Sequence, residues 1–183
     1  MKTIDRDGYN IRIEIRDDSD MGPPWEEHDG HGIVSGWTSR DKRPGERVLC
    51  SDRLKRYYDF AATLLVAKRD GWGLSVNDIE KLGVRLGRTP TAREVLAESV
   101  ERDFAYLKGW CDDSWHWVGY VTTITAPDGA ELPQDSCWGY DDEAYAISEA
   151  ESQAVWTVAE HQKQTAIEST EAQAMACRDI TTV

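Results

Sequence analysis

Tyr9, Ile11, Ile13 and Ile15 alternate with Asn10, Arg12, Glu14 and Arg16, a period of two that gives a half-buried β-strand one apolar face. From Asp17 to Glu46 the pattern stops. Gly22-Pro23-Pro24, Gly30, Gly32, Gly36 and Pro44-Gly45 punctuate this stretch too densely for a regular element, so 17–46 reads as a long loop, a feature that in a compact domain often serves function. Arg47 to Cys50 reads as a short strand. After it, Ser51 or Asp52 is placed to cap a helix carrying Leu54, Tyr57, Tyr58, Ala61, Leu64, Leu65 and Val66 at helical spacing and ending near Gly71.

Ser75 with Asp78 predicts a second, short helix bearing Ile79, Leu82 and Leu86 and stopped by Gly87, and Thr91 with Glu94 has the spacing of a capping box. Beyond Thr91 the residues Val95, Leu96, Val100, Phe104, Leu107 and Trp110 recur every three or four positions, as on the buried face of an amphipathic helix. Trp115 to Thr125 is dense in strand formers, Pro127-Asp128-Gly129 supplies a turn, and Gln134 to Trp138 returns, which predicts a β-hairpin. From Glu143 onward there is no Pro or Gly. Residues 143–178 read as a helical tail, one long helix or one broken once, with Tyr145, Ile147, Ala150, Ala154, Trp156, Val158, Ala166 and Ile167 available for packing. The expected fold is α+β: a small antiparallel sheet, made of the N-terminal strand and a hairpin in the C-terminal half, packed with three to four helices and ending in a long C-terminal helix.

A chain of 183 residues fits one domain, 1–183, able to bury about two thirds of its unfolded surface. No signal-peptide-like apolar run opens it and no stretch approaches the length of a membrane span, so a cytoplasmic protein without a membrane partner is expected. Cys50, Cys111, Cys137 and Cys177 are far apart and form no CxxC pair, which predicts reduced, structural thiols. The net charge is −13 and unevenly spread. Between Gly109 and Gln162 there is no Lys or Arg against eleven Asp and Glu, whereas Arg40 to Arg56 holds seven basic residues against three acidic ones.

Three segments carry a likeness: Gly22-Pro23-Pro24-Trp25-Glu26-Glu27-His28-Asp29-Gly30-His31-Gly32, Arg56-Tyr57-Tyr58-Asp59-Phe60, and Trp110-Cys111-Asp112-Asp113-Ser114-Trp115-His116-Trp117-Val118-Gly119. Together with a Ser-x-Trp-Gly-x-x-Asp run at Ser136, Trp138, Gly139 and Asp142, the sequence resembles a group of acidic accessory proteins of bacteriophages, prophages and related mobile elements. The tail departs from the group's pattern, being longer and richer in Ala and Gln. The resemblance implies a setting inside a bacterial host and no particular reaction.

The loop Glu26-Glu27-His28-Asp29-Gly30-His31 holds enough imidazoles and carboxylates for a divalent ion, with His116 as a distant third imidazole. Its spacing matches no strong metal motif, and a turn held by hydrogen bonds from Asp29 and the histidines explains the same residues. Cys111 and His116 are weighed likewise as a Cys–His nucleophile pair. No P-loop, Rossmann glycine fingerprint or Gly-x-Ser-x-Gly elbow occurs. Paired acids such as Asp112-Asp113 and Asp141-Asp142 read as solvated or capping residues before they read as catalysts.

The expected function is binding without catalysis and without a cofactor. Asp112, Asp113, Asp141, Asp142 and Glu143, interleaved with Trp and Tyr, would meet a basic surface on a host protein, a nucleic-acid-handling defence complex of the CRISPR or restriction type, and the chain itself would bind no nucleic acid. Two alternatives stand beside it: a small metal-dependent enzyme or metal-stabilised module using His28 and His31, and a structural or scaffold component of a phage particle. Solubility alone also accounts for an acidic face.

Overall fold

The computed structural model describes residues 1–180, with side chains through residue 175. Its elements in chain order are β1 (Lys2–Arg6), β2 (Tyr9–Asp17), α1 (Pro24–Glu27), β3 (Glu46–Ser51), β4 (Lys55–Asp59), α2 (Phe60–Asp70), α3 (Val76–Leu86), α4 (Ala92–Cys111), β5 (Val118–Thr125), β6 (Asp135–Tyr140) and α5 (Glu143–Ile180). The α+β expectation holds: there is a four-stranded antiparallel sheet, a separate two-stranded one, and a long C-terminal helix. The chain divides into two compact units, one made of Met1–Ser19 with the residues from Trp117 onward, the other of Asp20–His116. No helix among the described residues is long and apolar enough to cross a membrane.

In the first unit the strands run in the order β1-β2-β5-β6, every neighbouring pair antiparallel. The alternation read at Tyr9–Arg16 is β2, whose Tyr9, Ile11 and Ile13 are buried. β1 escapes the same reading because Lys2-Thr3-Ile4-Asp5-Arg6 offers only Ile4 to the core, as an edge strand can. Asp7-Gly8 joins the two strands with φ of 53° and 80°, the positive values that a tight hairpin turn demands. One sheet face, with Tyr120 and Ile124 of β5, packs on Ala146, Ala150, Ala154 and Val158 of α5. These recur every fourth residue on one helix stripe. Their small size lets the helix lie close on the sheet, and each large side chain buried beneath it contributes roughly 1.5–3 kcal/mol.

α5 is unbroken, and its packed stripe ends near His161, whose Nδ1 lies 2.9 Å from the Tyr9 hydroxyl. From Gln162 to Met175 every residue is exposed, so Ala166 and Ile167 are not core residues. Tyr145 and Trp156, at 58% and 61% exposure, also face outward. The side chain of Cys177 lies outside the described residues.

In the second unit the expected first helix is corrected. Residues 54–59 are not the start of a helix: Lys55–Asp59 is β4, hydrogen-bonded to β3, and Phe60–Asp70 alone forms α2. The cap is Asp59, whose carboxylate accepts from the Ala62 N–H at 2.9 Å, and not Ser51 or Asp52. Tyr57 and Tyr58 suit either period, and burial on the hairpin decides between them, since both are 1% exposed or less. The caps at Ser75 and Thr91 are as expected, the latter a complete capping box. Of 17–46, Asp17 ends β2 and Glu46 opens β3; between them the chain is irregular except for α1 and for single bridges from Val34 and Thr38 to β4. Leu49, Tyr58, Ala67, Val100 and Leu107 form the core.

Cys50 and Cys111 are joined by a disulfide that ties β3 to the last residue of α4. The expectation of reduced thiols is therefore corrected for this pair; spacing alone cannot show that two cysteines 61 residues apart meet. Cys137 is a free, exposed thiol.

Glu46 opens β3 with only 6% of its side chain exposed. The Arg40 guanidinium bonds to both its oxygens, one at 2.7 Å, and the Arg43 N–H adds a third bond at 2.7 Å. The hydrogen bonds from Arg40 hold its carboxyl down at about 2, against the desolvation that opposes them. An unfolded glutamate titrates near 4.3, so the stabilisation is complete above that pH and is lost as pH falls through the folded value. We expect Glu46→Gln to destabilise the protein most at neutral pH, with the difference from wild type shrinking between about pH 4.3 and pH 2. Urea unfolding across that window reads it; a difference independent of pH would show that the carboxylate's charge plays no part.

Candidate functional site

The five acidic residues expected to bind a partner fall in both units. Asp112 and Asp113 follow α4 in the Asp20–His116 unit, whereas Asp141, Asp142 and Glu143 lie at the start of α5 in the other. Two have local structural work. Asp112 is the C-cap of α4 and forms an ion pair with Lys108 one turn earlier. Asp142 caps α5, its carboxylate accepting from the Tyr145 N–H at 2.8 Å and its carbonyl from the Ala146 N–H at 3.0 Å. Asp113 sits at φ 54° in an exposed turn, and Asp141 and Glu143 are exposed.

Charge follows the division into units. The unit containing β1, β2, β5, β6 and α5 has 6 Lys and Arg against 17 Asp and Glu, a net of −11, while Asp20–His116 has 15 against 17. Near the start of α5 the acidic unit also exposes aromatic rings. Trp138 is 45% exposed and lies over Gly119, where an added Cβ would come within 2.2 Å of its ring. Tyr145 is 58% exposed and packs edge-on against Tyr140, which in turn contacts Tyr120. Burial pushes the Tyr120 hydroxyl up to about 12, and a hydrogen bond with Cys137 pushes that of Tyr140 up as well, so both remain neutral.

Three of the seven basic residues of the stretch Arg40–Arg56 are engaged inside their own unit. Arg40 holds Glu46, Arg47 bonds to Glu101 and lies 4.0 Å from the Phe60 ring, and Arg56 lies 5.3 Å from Trp25 and 5.0 Å from Trp37 while bonding to Glu26.

The histidines part company. His28 is exposed at the C-terminal end of α1, and His116 is exposed beyond α4. His31 turns inward, its Nδ1 2.7 Å from Asp103 Oδ1. The other oxygen of Asp103 accepts from the Gly32 N–H at 2.8 Å and from the Tyr58 hydroxyl at 2.7 Å. This carboxylate is 9% exposed and its imidazole partner 17%. Burial, reinforced by Asp103, pushes the Tyr58 hydroxyl far above the ordinary phenol range, so it stays a donor. The His31 ring stacks on Tyr106, with centroids 5.6 Å apart and planes 10° from parallel, and Trp115 leans on Tyr106 while its Nε1 donates to the Tyr106 carbonyl at 2.9 Å.

Among the described residues no group of three or more His, Cys, Asp or Glu is placed to hold a metal ion. The Cys111–His116 pair has no thiol to offer, because Cys111 is bonded to Cys50. Asp103, Tyr58 and Tyr106 were not singled out from sequence as site residues, although Asp103 occupies a position in the stripe Leu96, Val100, Leu107 where an apolar residue is expected. A charged residue in a buried stripe signals a partner. Compared with known protein families, characterised proteins and solved structures, the chain shows no match.

Gly32 is what lets Tyr58 reach Asp103: a Cβ there would lie 2.3 Å from the Tyr58 hydroxyl oxygen and 2.5 Å from two ring carbons. Gly32→Ala should therefore destabilise the protein by about 1–3 kcal/mol. Gly36→Ala, where a Cβ meets nothing within 4 Å, should change stability by less than about 0.5 kcal/mol. Denaturant midpoints of the two variants against wild type make the check, and equal midpoints would mean that the Tyr58 ring is not held against this backbone.

Proposed function

We propose that the protein acts by binding, its acidic unit docking on a basic surface of a partner protein. The segregation of charge carries the reading: −11 of the net −13 belongs to one of the two units. A concentrated negative field accelerates encounter with a basic partner and repels nucleic acid. Carboxylates such as Asp141 and Glu143 stand in for phosphates against Arg and Lys, and the exposed Trp138 and Tyr145 supply the aromatic anchors that carry most interface energy. The partner class that fits is a protein whose basic groove ordinarily takes nucleic acid. In the mobile-element setting that the sequence resemblance implies, host defence complexes of the CRISPR or restriction type belong to that class. The reading needs no cofactor and no catalysis.

Affinity capture from a bacterial host, followed by binding measurements with the captured partner, tests it. Because Asp112 and Asp142 hold helix ends, the informative variant reverses Asp141, Glu143 and Glu149 to Lys, and its control reverses Asp41, Asp52 and Glu80, which are exposed in the other unit. We expect the first to weaken binding at least tenfold, about 1.4 kcal/mol, and the control to change it little. The wild-type on-rate should fall as salt rises, and duplex DNA should compete for the partner. Equal, small effects of both reversals, or an on-rate indifferent to salt, would reduce the acidity to a solvated face.

A further inference from the structure

In the Asp20–His116 unit an open, shallow cavity of about 450 Å³ is lined by His31, Trp72, Gly73, Arg102, Asp103 and Tyr106 among others, with room for part of a small organic ligand. One polar group in it is fixed in advance. Asp103 receives the Gly32 N–H and the Tyr58 O–H on one oxygen and faces His31 Nδ1 with the other. A carboxylate only accepts, so Nδ1 carries a proton, and an uncharged ring then presents Nε2 as an acceptor. Among the described residues Nε2 has no hydrogen-bond partner. The stacking of the ring on Tyr106 holds this acceptor in place.

The other lining groups narrow what it accepts from. Trp72 offers aromatic surface to a flat molecule, whereas the Tyr106 ring is already engaged by His31 and Trp115. Arg102 lines the cavity, yet it already bonds to Asp78 at 2.8 Å and to Glu98 at 3.5 Å. Its charge is thus largely compensated, and a bare anion gains little there, while its edge can still donate to a neutral acceptor. The matching chemistry is planar and heteroaromatic, with an N–H or O–H for Nε2 and carbonyl or ring-nitrogen acceptors for the guanidinium. Nucleobases combine these features.

We propose that this cavity is a binding site for a nucleobase-bearing small molecule, a free base or nucleoside, oriented by His31 Nε2. The inference rests on residues of the Asp20–His116 unit alone and is independent of docking by the acidic unit. Its test is titration of the full chain with adenosine, guanosine, cytidine and uridine separately, with inorganic phosphate as a control, followed by calorimetry or by chemical shifts of the His31 ring. We expect at least one nucleoside to saturate a single site and His31→Ala to weaken it at least tenfold. Gly73→Phe serves where His31→Ala fails to fold: Gly73 lines the cavity and a Cβ there meets nothing within 4 Å, so a bulky side chain can be added to the lining without a clash at its base and should weaken binding by a similar factor. The reversal of Asp141, Glu143 and Glu149 should leave nucleoside binding unchanged. No saturation by any of the four at about 1 mM, binding that survives Gly73→Phe, or equal competition by inorganic phosphate would overturn the assignment.

Discussion

A single buried carboxylate organises the Asp20–His116 unit. Asp103 is carried by α4 and receives hydrogen bonds from β4, through Tyr58, and from the irregular segment before it, through Gly32 and His31. Charge-assisted hydrogen bonds of this kind are about twice as strong as neutral ones, and leaving their donors buried without an acceptor costs more than the bonds themselves contribute. The rest follows from satisfying that acceptor. Position 32 must be glycine for the Tyr58 ring to pass, Tyr58 must keep its proton, and His31 must lie flat on Tyr106 with one nitrogen committed and the other open.

The two units divide the chemistry between them. One is a helix laid on a four-stranded sheet, its interface built from small residues on one α5 stripe, and it keeps its charges and several aromatic rings on the outside. The other spends most of its cations on its own carboxylates and rings. Uncompensated charge belongs to the first unit, and a field acts at a distance only where charge is uncompensated.

Elements fixed by local chemistry were legible in the sequence. Ser75 and Thr91 cap their helices because a side-chain acceptor two or three residues before a free N–H is a local arrangement, and β2 announces itself by alternation. What depended on distant partners was not. Tyr57 and Tyr58 join a strand because β3 is there to pair with, and Cys50 meets Cys111 only through the packing of β3 on α4. The Gly22–Gly32 segment was singled out for its histidines, and one of them, His31, turned out to face a carboxylate 72 residues away and not a metal-ligating neighbour. The acidic stretch was equally visible as composition. That Asp112 and Asp142 hold helix ends emerges only from their hydrogen bonds and ion pairs.

Because the site depends on which nitrogen of His31 faces Asp103 as a donor, the most direct measurement is a long-range proton–nitrogen correlation spectrum of the neutral His31 imidazole. We expect a protonated Nδ1 and an unprotonated Nε2, with Nδ1–H directed at the Asp103 carboxylate. A ring protonated on Nε2 would contradict this, for Asp103 would then face a lone pair and the cavity would hold a donor where an acceptor is required.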